Sequence, residues 1–147
     1  MKNMKSETEN FVDVLFARMQ SIDMAYAAYT KRCGLTYIGI TVLEYLSDHP
    51  DGCTQKEIVA ETFFPKQGVN LVIKDFLQQG YVVLREMEHD RRNKPVFLTE
   101  KGRRYAEAIF APIYEAVSDM AESLSSEERR GFLKALRLYD ETFRKII

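Results

Sequence analysis

Between Thr54 and Leu98 the chain changes its hydrophobic period in a way that few folds accommodate. Thr54-Gln55-Lys56-Glu57 is a capping box, a threonine placed to accept from a backbone N–H at a helix start and a glutamate three residues on placed to reach back. It opens a short helix through Ile58, Val59 and Thr62. Phe63-Phe64-Pro65 turns the chain, and Pro65 suits the first position of a second helix. That helix carries Val69, Val72, Ile73, Phe76 and Leu77 on one face and ends at Gly80. Directly afterwards the pattern becomes that of strands. Tyr81-Val82-Val83-Leu84-Arg85 and Pro95-Val96-Phe97-Leu98 are β-branched and aromatic, and Glu88 to Asn93 between them are all polar. Two helices of about eight and fourteen residues across a tight turn have the proportions of a helix-turn-helix. A hairpin with a charged tip behind them is a wing.

Both flanks are helical. Phe11, Leu15, Met19, Ile22, Tyr26 and Tyr29 recur at steps of three and four, predicting a helix from about Glu9 to Lys31 that Cys33-Gly34 ends. Thr36 is placed to cap a second helix with Ile40, Leu43 and Leu46 inward, stopped by His49-Pro50-Asp51-Gly52. Thr99 caps a long helix containing Tyr105, Ala108, Ile109, Ile113 and Val117. Pro112 inside it removes a backbone hydrogen bond and crowds the preceding turn, which predicts a kink or a break. Ser125-Ser126-Glu127-Glu128 is another capping box and opens the last helix, where Phe132, Leu136, Tyr139, Phe143 and Ile146 follow a 4-3 spacing. With Phe11 and Leu15 of the first helix, that seam suits pairing with a second copy of the chain. The expected fold is mainly α with a small β-hairpin wing. It forms one domain over residues 1–147, with a winged helix-turn-helix lobe at about 35–104 between dimerisation helices at about 9–34 and 105–147.

At 147 residues the chain is long enough to bury a core without a metal or disulfide staple. Cys33 and Cys53 cannot make a disulfide framework and fit a reducing compartment. No apolar run approaches the roughly 20 residues of a membrane span, and the first residues lack the apolar core of a signal peptide. The chain therefore reads as cytoplasmic. Cys33, Cys53, His49 and His89 match no zinc spacing. No nucleophile–base grouping, phosphate-cradling glycine loop or paired-carboxylate motif stands out, so neither an enzyme nor a cofactor is expected. The net charge of −1 argues against a nucleic-acid partner until it is located. Residues 54–104 hold ten Lys and Arg against seven Asp and Glu, whereas acidic residues are in excess in both flanks. The basic excess lies on the helix-turn-helix and wing.

In such a motif the first residues of the second helix meet base edges in the major groove. Here these are Lys66, Gln67, Gly68, Asn70 and Leu71, with Lys74 further along. Gln and Asn match adenine bidentately, and Lys reaches guanine or phosphate. Gly68 in a helix costs about 1 kcal/mol relative to Ala, tolerable where the backbone must approach DNA. On the wing, Arg91, Arg92 and Lys94 supply cations. Arg92 suits a narrow minor groove, and Asp90 is placed to hold it.

The order of parts from Leu35 to Gly102 resembles the MarR family of winged helix-turn-helix transcriptional regulators. The matching stretches are Cys53-Thr54-Gln55-Lys56-Glu57-Ile58, Phe64-Pro65-Lys66-Gln67-Gly68-Val69-Asn70, Gly80-Tyr81, Asp90-Arg91-Arg92-Asn93-Lys94 and Leu98-Thr99-Glu100-Lys101-Gly102. The resemblance implies a homodimer on double-stranded DNA, in which two winged lobes bind a pseudo-palindromic operator, usually as a repressor. It places Thr54 and Gln55 where the preceding helix meets the DNA backbone, and Asp90 and Arg92 on the family's Asp-x-Arg wing motif. It also implies a small aromatic or phenolic effector that weakens DNA binding, for which Phe16, Tyr26, Tyr29, Tyr37 and Phe110 are candidate pocket residues. Many members carry Ser or Thr where Gly68 stands and Ser-Arg where Asn70-Leu71 stands, so the operator preference does not transfer. Cys33 is not at the reactive-cysteine position of the family's hydroperoxide sensors. Two other readings stay open on the sequence: a winged-helix module for protein contact, and a ligand or thiol sensor without its own operator.

Overall fold

The computed structural model describes residues 6–89 and 92–147. The expected Asp90–Arg92 pairing and any part played by Arg91 lie outside the described residues. The elements are helices α1 (Glu7–Arg32), α2 (Tyr37–Asp48), α3 (Gln55–Thr62) and α4 (Lys66–Gln78), strands β1 (Val82–Leu84) and β2 (Val96–Leu98), and helices α5 (Glu100–Ser123) and α6 (Ser126–Phe143). A single 3-10 turn, Arg144–Ile146, follows. The backbone divides into two compact units, Met1–Ala106 and Glu107–Ile147.

In the first unit, each helix begins where a side chain answers its orphan N–H groups. Ser6 caps α1 in a capping box with Glu9, so the helix begins two residues ahead of the predicted start. The Thr36 hydroxyl accepts from the Gly39 N–H at 3.0 Å. At α3 the Thr54 N–H donates to Glu57 Oε2 at 2.6 Å while the Glu57 N–H donates to Thr54 Oγ1 at 3.2 Å. α4 differs from expectation. Pro65 is its N-cap rather than its first helical residue, because its ψ of 132° is extended.

The hairpin pairs Val82 with Leu98, Val83 with Phe97 and Leu84 with Val96, antiparallel. On the outer side of β2, Cys53 exchanges both backbone hydrogen bonds with Val96, at 3.1 and 2.7 Å. The wing is thereby tied to the residue just before the Thr54 cap of α3. The core between these elements consists of Ile40, Leu43 and Leu46 of α2, Ile58 of α3, Val69, Ile73 and Phe76 of α4, and Val82 and Val96, all essentially inaccessible. Burial of side chains this size stabilises by about 1.5–3 kcal/mol each.

Thr99 joins the hairpin to α5. Its hydroxyl accepts from the Gly102 N–H at 3.0 Å and donates to the Gly80 carbonyl at 2.7 Å. Only a residue without a side chain fits at 102, since a Cβ there would run into the Tyr81 carbonyl. Pro112 neither breaks nor ends α5, which continues to Ser123. Ala108, whose carbonyl loses its partner to the proline, and Pro112 itself are both exposed, so water can serve the freed oxygen.

In the second unit, Ser125 and Glu128 form the predicted capping box of α6, and the Arg129 guanidinium donates to the Ala121 carbonyl at 2.8 Å. No residue of α6 is buried. The α-helix stops at Phe143, so Ile146 lies in the 3-10 turn rather than on the helical seam as predicted. Among the described residues, no helix is long and apolar enough to cross a membrane.

Candidate nucleic-acid interface

α3, the start of α4 and the wing enclose a cleft of about 590 Å³. Of the predicted contact residues, Thr54, Gln55, Lys66, Arg92 and Lys94 line it together, although they come from three separate stretches of chain. Lys56 and Asn93 also line it and were missed in the sequence reading. Their signal was available: Lys56 sits inside the capping box, and Asn93 sits beside the Arg of the wing. Four cationic side chains and no carboxylate appear among the described lining residues. A second, larger cleft of about 880 Å³ adjoins it, sharing Thr54, Lys56 and Asn93, and adds the carboxylates Asp51, Glu57, Glu86 and Glu88. The winged lobe is thus polarised, and a polyanion is drawn to the first cleft and turned away from the second.

The local chemistry refines each predicted contact. Lys94 pairs with Glu86 across the hairpin at 2.8 Å, which holds the Glu86 carboxyl below the usual carboxylate range and partly matches the Lys94 charge. Arg85 lies over the Phe97 ring at 4.5 Å, stiffening the wing's base. The Asn70 side-chain amide donates to Gln55 Oε1 at 3.2 Å, so these two predicted DNA contacts also fasten α4 to α3. Gly68 faces inward. A Cβ there would come within 2.9 Å of Ile38 Cδ1, so its missing side chain also lets α4 pack closely on α2. Gln67, Leu71 and Lys74 are left on the exposed face of α4. Among the described residues no side chain caps α4, which leaves its first N–H groups available to an anion.

The turn between α3 and α4 contains a feature the sequence did not announce. Phe63 adopts a left-handed conformation, φ 57°, with 91% of its surface exposed. A bulky side chain rarely takes that backbone shape. Phe64 beside it is held instead, edge-to-face with Tyr37 at 5.8 Å.

The remaining candidates are more dispersed. Phe16, Tyr26, Tyr29 and Tyr37 belong to the first unit and Phe110 to the second, and none of the five lines either cleft above. Both cysteines are free. Burial pushes the Cys53 thiol up to about 11, so it is protonated at neutral pH and a poor nucleophile. Among the described residues no three His, Cys, Asp or Glu side chains are grouped to hold a metal. Of the predicted dimer residues, Phe11, Phe132, Leu136, Phe143 and Ile146 are exposed, and Leu15 and Tyr139 are half-buried. Val12, Val14, Tyr114, Val117 and Leu133 extend the exposed apolar surface of these helices.

Comparison with known proteins points one way. The sequence profile of the MarR family matches residues 34–93. The HTH-type transcriptional regulator SarZ of Staphylococcus epidermidis is 26% identical over 114 residues, covering 78% of this chain and 71% of that protein. A crystallised MarR-family transcription regulator superposes with a TM-score of 0.80 at 23% identity, over 95% of this chain and 94% of that one. Staphylococcus aureus MepR, crystallised in complex with DNA, superposes with a TM-score of 0.62 at 23% identity, over 86% of this chain and 96% of that one.

Proposed function

We propose that the chain is a DNA-binding transcriptional regulator of the MarR winged helix-turn-helix family, acting in the cytoplasm as a homodimeric repressor on a pseudo-palindromic operator. The observation that carries this reading is the cleft, without a carboxylate among its described lining residues, where Lys56, Lys66 and Arg92 converge from α3, α4 and the wing. In this reading α4 enters the major groove, with Gln67 and Leu71 toward base edges and Lys66 and Lys74 toward phosphates. Arg92 enters the adjacent minor groove with Asp90, Arg91 and Lys94 around it. Thr54, Gln55 and Lys56 meet the backbone in between, and Gly68 and Asn70 set how α4 sits on its supports.

One lobe with so small a basic excess binds DNA weakly. Two lobes linked rigidly bind far better, because the second contact becomes intramolecular. The exposed apolar faces carrying Phe11, Leu15, Phe132, Leu136, Tyr139, Phe143 and Ile146 supply that link by covering one another in a dimer. Half-sites then lie about 34–36 Å apart. A small aromatic or phenolic effector, received by aromatic residues such as Phe16, Tyr26, Tyr29, Tyr37 and Phe110, releases DNA if it prefers a lobe spacing that does not match the operator.

The test is a gel shift with purified variants. Lys66→Glu and Arg92→Ala are each expected to weaken operator binding about tenfold or more while leaving the dimer intact. Affinity should also fall with salt, with a log–log slope of about −0.9 per phosphate neutralised. Unchanged binding by both variants would rule out this docking mode.

A further inference from the structure

The face of α4 that carries Gln67 and Lys74 also presents a large aliphatic side chain to solvent. Leu71 is 59% exposed, in the middle of a face whose other members, Gln67, Lys74, Asp75 and Gln78, are all polar. Val69, Ile73 and Phe76 already fill the buried side of the helix, so Leu71 has no place in the core. It follows Gln67 by one helical turn, which puts the two on the same stripe about 6 Å apart along the axis. The neighbouring amide, Asn70, is engaged with Gln55 at 3.2 Å, which makes Gln67 the outward-facing amide beside Leu71.

An aliphatic side chain neither donates nor accepts a hydrogen bond, so on a groove-reading face it can recognise only an apolar group. The major-groove edges of the base pairs present one such group, the C5-methyl of thymine. We propose that Leu71 is a specificity residue of this protein that reads a thymine methyl in each half-site, within two base pairs of the position met by Gln67. The proposal rests on the reading of α4 as the major-groove helix and adds to it a base identity. It also accounts for an exposed leucine at a place where a polar side chain would cost the free protein nothing. Lys66 and Lys74 hold the helix to the phosphates on either side and leave the centre of the stripe free to discriminate.

Duplexes selected by the full-length protein from a random pool provide the probe. Each thymidine of the selected half-site is replaced in turn by deoxyuridine, which removes the methyl and nothing else. One thymidine per half-site is expected to lose about three- to fivefold in affinity on replacement, the worth of burying one methyl group. In Leu71→Ala that preference should vanish, with deoxyuridine and thymidine duplexes binding equally, while the melting temperature and the dimer are unchanged. Leu71→Met should keep part of the preference. A selected site indifferent to every such replacement overturns the proposal but leaves DNA recognition by α4 standing. A deoxyuridine effect that persists undiminished in Leu71→Ala overturns it as well, by assigning the methyl to another side chain. Selection of no sequence at all overturns both the proposal and the reading beneath it.

Discussion

α4 and α6 have the same kind of sequence, an apolar stripe at helical spacing with charged residues around it, and meet different circumstances. α4 buries Val69, Ile73 and Phe76 among α2, α3 and β1. α6 is the longer helix and buries nothing: Phe132, Leu136 and Phe143 stay 47%, 48% and 49% exposed. An apolar stripe therefore states that a face has to be covered, and leaves open what covers it. For α4 the cover comes from elements close by in sequence. In α6 the stripe stays open among the described residues, and a monomeric protein rarely leaves so much apolar surface bare. The difference separates the part of the molecule that folds as one copy from the part that, in the proposed account, requires two.

Substitutions on the covered side should break the lobe itself. Phe76→Ala is expected to cost about 3–5 kcal/mol of unfolding free energy, independent of protein concentration, as measured by urea denaturation. Gly102→Ala belongs with it. The new methyl meets the Tyr81 backbone, which cannot rotate away, and the hairpin–α5 junction should fail to form a cooperative transition.

On the uncovered side the effect should appear in assembly rather than in folding. Leu136→Asp is expected to convert a dimer to a monomer by sedimentation equilibrium while the lobe keeps its far-ultraviolet signal. Operator affinity should then drop about 100-fold or more as the second lobe is lost. If the variant remains dimeric with full DNA affinity, α6 is not the covering surface.

The smallest expected effect concerns the capping boxes, which occur in both regions. The Thr54 N–H and hydroxyl hold the Glu57 carboxyl below the usual carboxylate range, and the Ser125 N–H and hydroxyl do the same for Glu128. A carboxylate depressed by folding contributes stability that is complete above its unfolded pKa and is lost as the pH falls through its folded one. Thermal stability should thus hold down to about pH 5 and decline below it. A Glu57→Gln, Glu128→Gln variant should show a shallower acid decline than the parent, because glutamine can cap without titrating. Identical acid profiles would show that the two carboxylates contribute nothing measurable.

Local signals in the sequence were legible. The Thr54 and Ser125 capping boxes, the Thr36 and Thr99 caps, the stop at Gly80 and the change to strand period each depend on residues within a few positions of one another. Pairings that depend on how elements cross were not. Asn70 meets Gln55 only because α3 and α4 are packed at a particular angle, and Lys94 meets Glu86 only in this hairpin register. Gly68 shows the same limit. Its spacing marks it as a small residue on a recognition helix, but only the position of Ile38 reveals which side it faces. Pro112 exceeded the reach of a local rule, since the cost of a proline inside a helix depends on whether water can reach the carbonyl it frees. The polarity of the lobe was half visible. Counting charges located the basic third of the chain, and the fold placed its Lys66, Arg92 and Lys94 in one cleft and its Glu57, Glu86 and Glu88 in the other, with Lys56 bordering both.

The central claim is that two winged lobes, joined through the exposed apolar faces of their flanking helices, read DNA together. Selection of bound sites from a random duplex pool by the full-length protein tests it most directly. The account predicts an inverted repeat whose half-site centres lie about 34–36 Å apart, one turn of the double helix. An enriched single half-site with no partner, or no enrichment at all, would contradict it.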